Sequence, residues 1–285
     1  MRLALPLGGL ALALLLVPIE ARAADPVGAP VRGVVLGELV PDFSAVDADG
    51  VAFSLAGART ITEADARTAV LAAAKDFGGP DAKLEAGIST LAGMTHDGQL
   101  DPSRRTEFVQ AAWTRFGLVA SDANTKDFVT LGDVAKRIVE AASAPIVLFA
   151  WSSSCPTIAL YADRLFEIFS TSGARVFPFA CNAEETVETI HAAIKEKKLP
   201  YRILVDMDAK LADLLGARTT PHTFVLDEKN FLRFNGAPDS DPALMGEEAK
   251  RVPYLRDALK AVADGRSVEI RMTNPKGCRI RRKKA

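Results

Sequence analysis

From Ala144 onward, unbroken apolar runs alternate with longer stretches whose apolar residues recur every three or four positions. Runs of the first kind suit strands buried on both faces, and stretches of the second kind suit amphipathic helices. Strands are predicted over 146–151, 175–180, 201–205, 222–227 and 231–235. A helix over 156–170 places Ile158, Tyr161, Leu165, Ile168 and Phe169 on one face, and a helix over 183–197 turns Val187, Ile190 and Ile194 inward. Asn182 and Glu185 are spaced as a capping pair for the second of these. A short helix carrying Leu211, Leu214 and Leu215 ends at Gly216, and a last helix over 254–263 directs Leu255, Leu259 and Val262 inward. This order of strands and helices predicts an α/β fold whose central sheet mixes parallel and antiparallel strands.

The front half has another pattern. Residues 41–55 read as two short strands about the turn Asp47-Ala-Asp-Gly50. Asp47 and Asp49 faintly suggest a calcium loop, but the glutamate that would close it is missing, so the reading is a hairpin turn. Residues 60–128 are helical in pattern. Thr62 caps a helix reaching Phe77, and a second helix covers 82–91. Asp101-Pro102 opens a third, with Phe108, Ala112 and Phe116 on one face, Trp113 beside it and Gly117 as the stop. A fourth spans 131–142. This block reads as an insertion or lid on the domain after it, with partner docking as the open alternative.

Arg2, the apolar run 3–17 and Ala21-Arg22-Ala23 have the form of a secretory signal peptide cleaved after Ala23. The run is shorter than the roughly 20 residues that span a bilayer, so no integral membrane segment is expected after cleavage. The implied location is periplasmic or secreted. The chain thus divides into a signal peptide (1–23), N-terminal strands (32–59), a helical insertion (60–143) and a domain core with its tail (144–285).

Composition narrows the chemistry. A formal net charge of -1 with 25% charged residues gives no reason to expect nucleic acid. The basic end, Arg279, Arg281, Arg282, Lys283 and Lys284, reads as a solvated terminus. Three cysteines come after the leader: Cys155, Cys181 and Cys278. An odd number leaves at least one thiol unpaired within the chain, or pairs it with a partner. They are too sparse for a disulfide scaffold, which leaves redox chemistry or one structural bridge, for instance Cys181 to Cys278. His96, His191 and His222 are scattered and none sits at ligand spacing from a cysteine, so neither metal nor cofactor is expected.

The most informative stretch is Trp151-Ser152-Ser153-Ser154-Cys155-Pro156, directly after a buried strand. Cys155 falls at the first turn of a helix, where unsatisfied N–H groups and the positive end of the helix dipole favour a thiolate. Pro156 costs nothing there because its missing N–H would be unpaired anyway. Ser152 or Ser153 is placed to cap the helix and to donate to the sulfur. The bland reading is a buried structural cysteine. A second constellation, Arg218-Thr219-Thr220-Pro221-His222, precedes an apolar strand. A cis Thr220–Pro221 bond there would leave the Thr220 backbone free to pair with an extended substrate, and His222 would face either Cys155 or solvent.

Taken together, Trp151, Cys155-Pro156, Tyr161, Arg164-Leu165, Thr220-Pro221 and Phe224-Val-Leu-Asp227 resemble the bacterial redoxin branch of the thioredoxin superfamily. That branch holds the alkyl hydroperoxide reductase/thiol-specific antioxidant proteins and exported thioredoxin-like reductases. Gly277-Cys278-Arg-Ile280 is similar to the tail of exported redoxin-like proteins. The resemblance implies a thioredoxin-like fold in which a cis proline lies opposite a reactive cysteine. The usual motif there is Trp-Cys-x-x-Cys-Pro, and its first cysteine is Ser152 here, so the ordinary dithiol cycle is unavailable. Against a peroxiredoxin pattern, Ser152 and Cys155 fit, Leu148 replaces a proline, and Pro221 stands where an arginine is expected, with Arg218 nearby.

Two functions remain open. In the first, Cys155 attacks a disulfide of a protein partner or a peroxide, and a second thiol, Cys278 or a partner's, resolves the product. Trp151, Thr220, Pro221 and Arg218 then bind substrate beside Cys155 and Ser152. In the second, the fold is a degenerate binding module with Cys155 buried and inert.

Overall fold

The computed structural model describes residues 33–77, 104–128, 130–243 and 245–283. The leader, the helix expected over 82–91, the Asp101-Pro102 start and His96 lie outside them.

Strands β1 (Ser44–Asp47) and β2 (Ala52–Ser54) form the expected hairpin. Asp47 closes its turn by accepting the N–H groups of Asp49 at 3.0 Å and Val51 at 2.8 Å. Its second carboxylate oxygen meets the buried Arg202 guanidinium at 2.6 Å, which also holds the carbonyls of Val51 and Ala52. The hairpin is thereby clamped to the segment just ahead of Leu204–Val205, the stretch with which β1 pairs.

Helices α1 (Leu55–Arg59) and α2 (Glu63–Asp76) come next, the second opened by Thr62 and Asp65 in a reciprocal capping box. Helices α3 (Arg105–Trp113), α4 (Asp122–Thr125) and α5 (Leu131–Glu140) complete the helical block. Ala66, Val70, Phe108, Trp113, Val134 and Ile138 build an apolar cluster of its own there. Gly117 ends the segment after α3 at φ +76°, and a side chain there would land 2.7 Å from the Phe177 ring. Only glycine admits that conformation and that approach without strain.

The main layer is a seven-stranded sheet in the order β2-β1-β5-β4-β3-β7-β8. Its centre is β3 (Ile146–Trp151) running parallel to β4 (Arg175–Ala180), every residue of both being buried. Helix α6 (Pro156–Ser172) returns the chain between them, and α7 (Val187–Lys197) leads to the short β5 (Leu204–Val205). After α8 (Lys210–Leu215) and the two-residue β6 (Thr219–Thr220), β7 (Thr223–Leu226) pairs antiparallel with β3, and β8 (Leu232–Gly236) pairs antiparallel with β7. Helix α9 (Tyr254–Ala263) packs beside α6 on one face, burying Leu255 and Leu259 with Phe149 and Phe169. This is the mixed sheet flanked by helices that the sequence pattern predicts.

Some details differ from the expectations. Helix α7 starts at Val187 under a Thr186 cap, because Asn182 and Glu185 are used elsewhere. The strand expected over 201–205 shortens to two residues, since Tyr201 and Arg202 turn inward to pack and to clamp Asp47. The tail is not simply a solvated end: Cys278–Arg279 forms β9 and pairs antiparallel with β6.

Candidate active site

Cys155 is the N-cap of α6, a helix of 17 residues preceded by an apolar strand and opened by Pro156. Such a position aims the first backbone N–H groups at the side chain. Across the groove the Thr220–Pro221 bond is cis, and the Thr220 carbonyl accepts the Cys155 thiol at 3.1 Å. Cys278 lies beside the same sulfur, within hydrogen-bonding reach of it and 3.8 Å from the Thr157 hydroxyl. Burial pushes the Cys155 thiol up. Hydrogen bonds from the Cys278 and Thr220 side chains and from the N–H groups of Ile158 and Cys278 outweigh it, and the net shift is downward. The contact to the Thr220 carbonyl belongs to the protonated sulfur, and the donors belong to the thiolate. Cys278 moves the opposite way, raised first by burial and then by its bond to Cys155. Of two neighbouring thiols, the helix-capping one therefore ionises first.

Beneath the active-site loop lies a carboxylate that spacing alone assigns to a helix cap. Glu185 is buried and accepts the Ser152 hydroxyl at 2.6 Å, the Ser153 N–H and hydroxyl each at 2.8 Å, and the Thr189 hydroxyl at 3.2 Å. Lys197 covers the outer side by donating to the Ser153 carbonyl at 2.9 Å. The serines of the motif hold the loop shape by these bonds.

A cysteine capping a helix after a buried parallel strand, opposite a cis Thr-Pro, is the arrangement shared by thioredoxin-like proteins, and the family model of the AhpC/TSA family matches residues 120–235. Over these residues the chain is similar to the redoxin branch of the thioredoxin-like superfamily. The thiol:disulfide interchange protein DsbE of Escherichia coli (strain K12) is 31% identical over 119 residues, which is 41% of this chain and 63% of that protein. The chain thus spans less than two thirds of that relative. The crystal structure of a hypothetical protein from Sinorhizobium meliloti 1021 superimposes with a TM-score of 0.53 at 18% identity, covering 89% of this chain and 98% of its own. An uncharacterized conserved protein from Geobacillus kaustophilus gives 0.53 at 16% identity, over 88% and 94%. Both likenesses are of fold.

Within this site, the structure brings Cys155, Thr220, Pro221 and Cys278 together. It redirects the other expected residues. Ser152 does not donate to the sulfur, because its hydroxyl is bound to Glu185. Trp151 is 2% exposed in the main core and offers no platform to a substrate. Arg218 is exposed, and its contacts are made by backbone, its N–H to His222 Nδ1 at 3.2 Å and its carbonyl to Ile280. His222 does not face the sulfur: its second nitrogen meets Asn235 at 2.5 Å, its ring packs on Phe224, and burial lowers its pKa to about 4. The Thr220 backbone is not free, since Cys278 is its strand partner. Cys181 sits in the other apolar cluster, apart from Cys278, and all three cysteines are thiols. Tyr161 and Arg164 both hold Asp239, at 2.8 Å and 2.5 Å, tying α6 to the loop that precedes α9. Glu185, the Ile158 N–H and Thr157 are the participants that pattern reading missed. Glu185 had a signal, one of two adjacent carboxylates just after a buried strand end, but it fitted a capping spacing better.

Among the described residues, no group of three or more His, Cys, Asp or Glu could hold a metal ion, and no helix is long and apolar enough to cross a membrane.

Proposed function

We propose that this chain is an exported thiol oxidoreductase in which Cys155 is the attacking sulfur and Cys278 the resolving one. The observation that carries this reading is the placement of both thiols at one point, between the start of α6 and the Thr220–Pro221 segment. Disulfide exchange is favoured over peroxide reduction. The segment beside Cys155 is a strand that here pairs with the chain's own Cys278–Arg279, a pairing suited to an extended polypeptide, and Leu148 and Pro221 depart from the peroxiredoxin pattern. The interchange activity that the DsbE relative's name prints agrees with this choice.

The exchange balances over two steps. Cys155 thiolate attacks one sulfur of a substrate disulfide, forming a mixed disulfide and releasing the first substrate thiolate, which takes up a proton. Cys278, after giving up its proton, attacks the Cys155 sulfur, forming the Cys155–Cys278 disulfide and releasing the second thiol. Two electrons pass from the protein to the substrate, and an external dithiol returns them. Ser152 leaves no cysteine for the local two-sulfur loop, and Cys278 supplies the missing sulfur from the end of the chain. The leader 1–23 supports export, and with it a periplasmic or secreted setting.

The test is peptide mass mapping after one equivalent of a small aromatic disulfide. A Cys155–Cys278 crosslink is expected in the native chain, and a stable mixed disulfide on Cys155 in Cys278→Ser. An unmodified Cys155 in both proteins, with rapid reaction only after denaturation, overturns the reading. The scaffold alternative, which the 4% exposure of Cys155 favours, would then stand.

A further inference from the structure

The last strand lies where a partner would lie. Thr219 and Thr220 pair antiparallel with Arg279 and Cys278, and the Ile280 N–H reaches the Arg218 carbonyl at 3.0 Å. Farther on, the Arg281 N–H donates to Asn182 Oδ1 at 2.8 Å and its carbonyl accepts the Ala183 N–H at 2.7 Å. The tail therefore runs from the cis-proline segment to the loop after β4, over the sulfur. Its side chains alternate as a strand's must. Cys278 turns toward Cys155, Ile280 is 5% exposed in the cluster around Leu211, Leu215 and Phe224, and Arg279 and Arg281 face outward. Gly277 is required by close approach, because a side chain there would run into the Thr220 carbonyl oxygen.

The hold is light. The paired segment is two residues long, and beyond Ile280 the tail is secured by the two backbone bonds of Arg281 and by ion pairs of Arg281 with Glu184 and of Arg282 with Asp213. Pairs of that kind hold weakly and weaken further with salt. The residues matched by the family model end at 235, well before this segment.

We infer that residues 277–282 are an internal stand-in for the substrate, and that the groove takes an extended polypeptide of the same design. That design is a cysteine opposite Thr220, preceded by glycine, with an aliphatic residue two places on and basic residues after it to meet Glu184 and Asp213. The inference deepens the thiol-exchange reading and rests on it for the covalent step alone. Substrate enters by strand exchange with the tail. When Cys278 resolves the mixed disulfide, the same strand refills the groove, so product release and closure are one event. The population with the tail displaced sets the apparent affinity for the incoming segment.

The probe is the peptide Gly-Ser-Arg-Ile-Arg-Arg, with a shuffled sequence as control. In Gly277→Val, which cannot seat the tail, iodoacetamide labelling of Cys155 is expected to rise roughly tenfold or more, since closure no longer limits access. Adding the peptide, and not its shuffled control, restores protection. Equal labelling of Gly277→Val and the native chain, both with a cooperative thermal transition, overturns the inference, as does equal protection by the shuffled peptide. If Gly277→Val does not fold, the native chain decides by hydrogen exchange. The amides of Ile280 and Arg281 should exchange far faster than those of Val147 and Val225, and equal protection would mean a tail fixed as firmly as the core. A cysteine form of the peptide separates the two readings: if the serine form binds and the cysteine form, presented as a disulfide, never couples to Cys155, the exchange chemistry fails and the groove assignment stands.

Discussion

Cys155 and Cys181 lie just past the ends of neighbouring parallel strands, yet their sulfurs meet opposite surroundings. After β3 the chain turns at once into α6, so Cys155 is the N-cap residue of a helix and its sulfur faces donors from Cys278, Thr220 and Ile158. After β4 a loop intervenes before α7, and Cys181 turns into the apolar cluster without that helix start. Burial there, with Asp206 as the next cause, pushes its thiol up to about 12. A strand end alone does not favour a thiolate; donors do, here the Cys278 and Thr220 side chains first and then the helix start. That start supplies N–H groups and positive potential, while an apolar pocket beside carboxylates withholds both.

The largest effect that bears on this contrast is the labelling ratio. At pH 8 a thiol near 12 is ionised about one part in ten thousand, whereas the Cys155 thiol, held below its ordinary value, is ionised far more. In folded Cys278→Ser, mass-resolved alkylation should therefore favour Cys155 over Cys181 by about three orders of magnitude. Comparable rates would erase the distinction.

Asp206 sharpens the other side of the comparison. Burial raises it from 3.8 to about 6, against the N–H bonds it accepts from Leu211 and Ala212 at the start of α8. A carboxyl whose folded pKa is raised keeps its proton where the unfolded chain has released it. Its contribution to stability therefore falls as pH rises from about 4 to 6 and stays lower above that. Between pH 4 and 7 the native chain should lose on the order of 2 kcal/mol relative to Asp206→Asn, read from urea midpoints at each pH. Parallel pH curves for the two proteins would remove Asp206 from the account. The asparagine variant should also bring the Cys181 titration down.

The smallest effect concerns the neighbour. Replacing Cys278 by alanine removes a donor to the Cys155 thiolate, and its titration, monitored by absorbance at 240 nm, should move up by about half a unit to one unit. A downward shift would mean that Cys278 acts on Cys155 chiefly by burying it.

The strand and helix pattern after Ala144 is readable because each element advertises itself locally: β3 and β4 are apolar on both faces, and α6 and α9 carry one apolar face. The site is readable in part. Cys155 before Pro156 and Thr220 before Pro221 announce a helix start and a turn, so their types and positions can be inferred from neighbouring residues. Ser152 and Trp151 mislead because the deciding partners lie elsewhere: Glu185 is 33 residues from Ser152, and the core around Trp151 is assembled from both halves of the sheet. His222 stays open between two readings until Asn235 and the Arg218 N–H are seen to take both of its nitrogens.

The sequence by itself determined an α/β core, a hairpin ahead of it and one cysteine at a helix start, since these depend on periodicity and on the residues flanking each element. Tertiary structure alone decided that the tail lies across the groove, that Cys278 rather than Cys181 meets Cys155, and that a buried glutamate holds the serines of the motif. Those contacts join residues far apart in the chain, and no local pattern encodes which distant side chain will fill a given donor or acceptor. Closing the sheet and folding the tail over its end does.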